Sequence, residues 1–222
     1  MRRVPLPPVI LFRAVALVLL ALVTGGRTGA SSGDEAPYRV LAGPYSKKEA
    51  KEGTAHTEAR TRIDMLGISV EFLGPEERAA FVKSIDPTTT DPFASRPGRP
   101  ASFSTFRVAF DNRSTADVQF QPGNVIMLTD RKTQDFPVDL TDLYRLAAEV
   151  GVADPEKTID RIAPIMFDSS TTIHAGRRIE RLLVFGPFPA KWRELQLHFS
   201  FLQIGTQTKE ATFHFHKQPL KE

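Results

Sequence analysis

The chain of 222 residues predicts a mainly β protein, an antiparallel β-sandwich carrying a short helical insertion. Three observations carry that prediction. Within Thr105 to Asp130, Phe106, Val108 and Phe110 alternate with polar neighbours, turn residues follow at Asp111-Asn112-Arg113-Ser114, and Val118 and Phe120 resume the alternation. A period of two marks a half-buried strand, and Asp and Asn side chains bond backbone amides in turns. The C-terminus alternates again: Leu195, Leu197, Phe199 and Phe201 against Gln196, His198, Ser200 and Leu202, then Ala211, Phe213 and Phe215 across Gly205. Between these stretches, residues 139–165 change to helical spacing.

The first thirty residues are set aside. Arg2, Arg3 and Arg13 precede an apolar run from Ala14 to Val23, and small residues follow through Ser32. Basic start, apolar centre and small-residue exit form the layout of a secretory signal. The uninterrupted apolar run is ten residues long, whereas a membrane span takes about 20. Residues 1–30 are read as a signal peptide cleaved near Ala30, with an uncleaved anchor as the alternative and the only membrane attachment expected. Residues 31–37 form a tether, and 38–218 a single domain with its helical insertion at 139–165.

The basic balance belongs to the signal. Of 29 Lys and Arg residues, Arg2, Arg3, Arg13 and Arg27 lie before residue 31, where no acid occurs, leaving 25 against 26 acidic residues. A nucleic-acid partner loses its main support with that correction. There is no cysteine, which excludes disulfides, thiolate metal sites and a cysteine nucleophile. Exported eukaryotic domains commonly use disulfides, so the expected location is periplasmic or secreted, in a bacterial envelope.

Tyr38-Arg39-Val40-Leu41 opens the sheet, and Ser46 to Gly53 is a charged loop. Thr57, Ala59, Thr61, Ile63 and Met65 alternate with polar residues until the phase flips after Leu66-Gly67, where Ile68, Val70 and Phe72 continue. An extra residue beside a glycine shifts the pleat in this way, so Thr57 to Leu73 is read as one long, bulged strand. Gly74-Pro75-Glu76-Glu77 starts a helix running to about Ser84, with Pro in the first turn and acids facing the helix dipole. Asp86 to Ala101 holds Pro87, Pro92, Pro97 and Pro100 and is read as a surface loop. Thr105 to Phe120 reads as a hairpin, Val125 to Leu128 as an apolar strand, and Phe136-Pro137-Val138 as at best an edge strand.

Leu140, Leu143, Tyr144, Leu146, Ala147 and Val150 then have helical spacing, with Gly151 as the stop. Asp154-Pro155-Glu156 starts a second helix bearing Ile159 and Ile162. The pair is placed over one end or one open edge of the sandwich. Thr171-Thr172-Ile173 returns to strand, His174-Ala175-Gly176 turns, and Ile179 to Phe185 is the most apolar strand outside the signal. Gly186-Pro187-Phe188-Pro189 breaks it before the closing hairpin. Seven to nine strands are expected.

Gly176, then Val184-Phe185-Gly186, then an alternating terminal hairpin, resembles the small exported immunoglobulin-like sandwich domains of bacteria. The resemblance covers Phe103 to His216 without the helical insertion, and implies an immunoglobulin-like antiparallel β-sandwich. It departs from true immunoglobulin domains in having no cysteine pair, and Trp192 precedes a late strand. Such domains act in adhesion, assembly or envelope maintenance, and no functional residue is carried over.

Three sets of residues are candidate sites. Arg177, Arg178 and Arg181 form the densest basic cluster outside the signal, followed by Phe188 and Trp192 in a proline-stiffened loop. Arginine beside exposed aromatics is the composition favoured at protein interfaces, and a charged edge strand that discourages aggregation is the competing reading. A hairpin turning about Thr206 brings His198 opposite His214, with His216 two residues along, as a copper or zinc site; registers two residues out of step separate the pair and leave polar residues on a solvated face. Asp139 and Asp142, three apart, fit an acid/base pair or a helix cap. Met65, Met127 and Met166 sit in apolar runs and read as core. Asn112-Arg113-Ser114 fits the glycan acceptor pattern at a turn.

No Gly-x-Ser-x-Gly elbow, His-Glu-x-x-His or phosphate-cradling glycine loop is present. The expected function is an exported, non-enzymatic binding or envelope-assembly module acting through a protein partner, with no cofactor. A periplasmic copper carrier using the C-terminal histidines and an unrecognised enzyme are the alternatives.

Overall fold

A computed structural model of the chain describes residues 38–44, 56–94, 103–149, 154–189 and 191–219. The expected signal, tether and 46–53 loop lie outside them. Eleven strands among the described residues form two antiparallel sheets. One sheet runs β1 (Tyr38–Ala42), β11 (Gln207–Pro219), β10 (Glu194–Ile204), β5 (Val118–Phe120) and β8 (Thr171–Ile173). Its β10 also pairs with β6 (Val125–Thr129), and β6 with the two-residue β7 (Gln134–Asp135). The other sheet has the order β2 (Glu58–Ile63), β3 (Leu66–Leu73), β4 (Ser104–Asn112), β9 (Arg178–Phe185).

The two inner faces supply one core. Phe106, Val108 and Phe110 of β4 meet Phe120, Phe199 and Phe215 from the larger sheet, with the Phe110 and Phe120 rings 4.7 Å apart and those of Phe106 and Phe215 5.4 Å apart. Phe167 closes one end against Phe120 at 5.0 Å, and Trp192 and Phe188 fill the other. Fully buried phenylalanines on alternating positions of strands in both sheets are what made the β pattern legible.

Among the described residues, three α-helices lie outside this core. Helix α1 (Pro75–Ile85) begins at the predicted Pro75 with Glu76 and Glu77 in its first turn. Helix α2 (Leu140–Glu149) starts where Asp139 accepts the Asp142 amide at 2.7 Å, and α3 (Pro155–Ile162) where Asp154 accepts the Lys157 amide at 3.0 Å. They build a second apolar cluster, with Val82, Leu143 and Ile162 against Leu73, Leu182 and Val184 on the outer face of the four-stranded sheet. Strand β9 is thus apolar on both faces, which explains the unbroken run Leu182-Leu183-Val184-Phe185. Its free edge is paired as well: the Leu182 amide donates to Ile165 O at 2.9 Å, and the Phe167 amide to Leu182 O at 2.8 Å.

Several expectations are corrected. Thr57 to Leu73 is a hairpin, not one bulged strand: Ile63 pairs with Leu66 and Glu58 with Glu71 across a two-residue turn at Asp64-Met65. Residues opposite each other share a face, so Ile63 and Leu66, three apart, flip the phase just as one inserted residue does. Met65 stands at that turn and is exposed, whereas Met127 and Met166 are core. Thr105 to Phe120 is not a hairpin either. Strand β4 pairs with β3 and β9, β5 pairs with β10 and β8, and the turn between them carries the chain from one sheet to the other. The proline-rich loop is partly core: Phe93 is buried, and Asp91 forms a buried pair with Arg78 of α1 at 2.8 Å. The strands exceed the expected seven to nine for the first of these reasons, and because the β6–β7 pairing is so short.

Candidate functional site

The closing hairpin settles where the histidines lie. Its turn sits at Gly205-Thr206 and pairs Ile204 with Gln207, and a bulge between Phe199 and Leu202 shifts the register by one residue. His198 therefore faces Thr212, its Nδ1 3.0 Å from the Thr212 hydroxyl, while His214 faces Gln196 and His216 faces Glu194. His216 is buried, with Nδ1 2.9 Å from the Gly43 carbonyl oxygen. His198 and His216 are separately engaged, and the described residues hold no group of three His, Asp or Glu side chains placed to bind a metal. His214 lines a depression of about 320 Å³ on the larger sheet, with Leu128, Lys132 and Gln196.

The basic cluster is also divided. Alternation puts Arg178 on the outer face of β9 and Arg181, three residues on, on the inner side, where its guanidinium lies 6.0 Å from the Phe167 ring centroid. Arg177 is exposed in the preceding turn, and its carbonyl accepts the Asn112 amide at 2.9 Å. The exposed aromatics expected beside them are core residues. Trp192 is buried, with Phe188 at 4.6 Å and Tyr38 at 6.2 Å, and Phe188 also packs on Phe72 at 5.5 Å. The loop folds inward because these two large rings close the gap between the sheets.

What the fold does bring together is on the outer face of the four-stranded sheet. Reading across the register, one row is Arg62, Gly67, Asp111 and Arg178, and the next is Arg60, Ser69, Ala109 and Glu180. The middle positions are small except for Asp111, and the flanking ones are long and charged. The result is an open trench of about 530 Å³, floored by Gly67, Ser69 and Ala109 and walled by Arg60 and Arg62 on one side and Arg178 and Arg113 on the other. Glu58 and Asp111 are the acids of its lining and Glu180 stands beside Arg178, so four arginines meet three carboxylates. The helical cladding over Leu73, Leu182 and Val184 ends beside this trench.

Each paired arginine is held by a neighbour. Arg60 donates to Glu58 at 2.5 and 3.0 Å, Arg113 to Asp111 at 2.7 Å and Arg178 to Glu180 at 2.8 Å. Burial works against ionisation of the Glu58 carboxyl, but hydrogen bonds from Arg60 and Ser69 outweigh it and hold the group below its ordinary range. The same contact raises the Arg60 guanidinium above its usual value. Arg62 makes no hydrogen bond or ion pair with any described residue. Sequence reading found Arg178 and missed Arg60, Arg62 and Arg113. Their signal was the polar phase of Glu58, Arg60 and Arg62, which points at Arg178 only once β2 and β3 are known to be antiparallel neighbours.

Asn112 is not a surface acceptor. It is fully buried; its Nδ2 donates to Ala116 O at 2.9 Å and Ile173 O at 3.0 Å, and its Oδ1 accepts from Ser114. Asp139 and Asp142 serve the start of α2 as cap and partner, not as a facing pair.

No family model matches the chain, and no curated protein matches it. Among solved structures, the crystal structure of the yjhA protein from Bacillus subtilis is similar at a TM-score of 0.39 and 9% identity, covering 69% of this chain and 93% of that one.

Proposed function

We propose that the protein is an exported, non-enzymatic binding module of the bacterial envelope, immunoglobulin-like in type, whose contact face is the arginine-walled trench. The observation that carries the reading is the trench itself: four arginines around a floor of small side chains, with no aromatic or histidine among its lining residues. Such a surface can hold a partner by charge and shape. The immunoglobulin-like assignment is supported by two facing antiparallel sheets with a chain crossing between them at Asn112. Export is supported by the basic and apolar pattern before Ala30, and a bacterial envelope by the absence of cysteine.

One experiment tests the proposal. The full chain, tagged at its C-terminus, is recovered from the envelope fraction of a bacterial host, sequenced from its N-terminus and assayed for captured protein. The recovered chain is expected to begin between Gly29 and Asp34, and a captured partner to be lost in the Arg62→Glu/Arg178→Glu double variant. Retention of Met1 with recovery from cytoplasm contradicts export. Capture indifferent to the double variant contradicts the contact face.

A further inference from the structure

We infer that the trench binds an extended acidic segment of a protein partner, with carboxylates on alternate residues; this rests on the reading of the trench as a contact face. The first observation is a glycine that folding does not require. Gly67 lies inside β3, where glycine costs about 0.5–1 kcal/mol relative to alanine. A Cβ there would meet only ordinary contacts, Asp111 Cβ at 3.6 Å and Asp111 O at 3.8 Å. Neither a turn nor a close approach within the chain calls for it, so what its missing side chain secures is the open floor.

Spacing is the second observation. Arg60 and Arg62 are alternate residues of one strand and share a face, which sets them about 6.6–6.8 Å apart along it. Arg178 of β9 stands across three strand spacings, about 14 Å away, and Arg113, just beyond β4, stands two spacings away. An extended peptide fits between the walls, and its own alternate side chains repeat at the same distance. Carboxylates at those positions meet Arg60 and Arg62 in step, and the small floor admits the backbone.

Charge gives the third. The resident ion pairs are weak holders: Arg60, Arg113 and Arg178 are 76%, 65% and 57% exposed at the side chain, and such surface pairs are worth little in water. Incoming carboxylates can therefore share these forks, and Arg62 accepts one without displacing any described residue. With Glu180 counted, four arginines meet three acids, and the remaining positive charge makes the match to an acidic ligand. The lining has no aromatic to stack on a sugar or a base, which favours peptide over glycan or nucleic acid.

The test uses fluorescence anisotropy of the processed chain with labelled peptides: an alternating Glu-Ser repeat, a peptide of the same composition with its glutamates in one block, and a Gln-Ser repeat. The alternating peptide is expected to bind most tightly and to weaken with salt. Arg62→Glu/Arg178→Glu is expected to weaken it by about tenfold or more, since exposed ion pairs turn repulsive. Gly67→Leu, which leaves every charge in place and fills the floor, is expected to weaken it as well, with circular dichroism confirming the fold of each variant. Equal binding of the blocked and alternating peptides, or indifference to both variants, overturns the inference. A heparin fragment that binds more tightly and depends on Arg62 and Arg178 assigns the trench to glycan and overturns it too. If peptides fail while partner capture still depends on these arginines, the ligand class falls and the contact face stands.

Discussion

Asn112 shows how much one buried side chain fixes. Its amide donates to a carbonyl in its own turn and to Ile173 of the facing sheet, so it ties the crossing between the two sheets to both. Truncation to alanine leaves the Ile173 carbonyl short of a donor in the core and unlocks the turn. Asn112→Ala is expected to cost about 2–3 kcal/mol, read as a lowered urea midpoint at unchanged slope. Asp86 is a simpler anchor, beyond the end of α1. Hydroxyls of Thr89 and Thr88 and the Thr88 amide bond its carboxylate and lower its pKa from 3.8 to about 2. Because ionisation in the folded chain lies below the ordinary value, its contribution is full above about pH 4 and is lost as pH falls toward 2. A carboxyl carbon titration by nuclear magnetic resonance is expected to place the midpoint near 2; a midpoint near 3.8 removes the anchor. Asp117 is held low in the same way, by the Ala175 amide and then by His174.

Strands differ in how far their residues announce them. The alternation of Leu195, Leu197 and Phe199 is read correctly from the residues, and then fails at one point. A bulge turns Phe201 outward, at φ +57 and 66% exposed, and brings Leu202 into the core. Hydrophobicity alone assigns these two the other way round. The local signal is a steric one that composition does not show, since left-handed backbone is unfavourable for a phenylalanine. Phe201→Asn is expected to stabilise the protein by about 0.5–1 kcal/mol, because asparagine tolerates that conformation and little burial is lost. A loss of stability in thermal unfolding would show Phe201 to be held by contacts that outweigh the strain. The helix starts were legible, because Pro75, Asp139 and Asp154 each stand where a helix start needs them, while the expected Gly151 stop lies outside the described residues. Strand pairing was not. A two-residue turn and a bulge flip the pleat identically, and the alternation of Phe110 and Phe120 is the same whether their strands share a sheet or face across the core. The arginine trench depends on that pairing, which is why only Arg178 was picked out in advance.

Taken as a whole, the molecule treats its two outer sheet surfaces differently. The four-stranded sheet is clad by α1, α2 and α3 where its outward residues are Leu73, Leu182 and Val184, and left open where they are Gly67, Ser69 and Ala109 between arginines. The larger sheet carries the competing depression, around Gln196 and His214. Site-specific photo-cross-linking separates the two most directly. A photoreactive residue placed at Ser69 on the trench floor, or at Gln196 on the opposite sheet, is activated in intact cells and the adducts are identified by mass spectrometry. The trench as contact face predicts a protein adduct from Ser69, suppressed by Arg62→Glu/Arg178→Glu, and none of comparable yield from Gln196. Adducts from Gln196 alone, or a Ser69 adduct indifferent to the charge reversal, would contradict it.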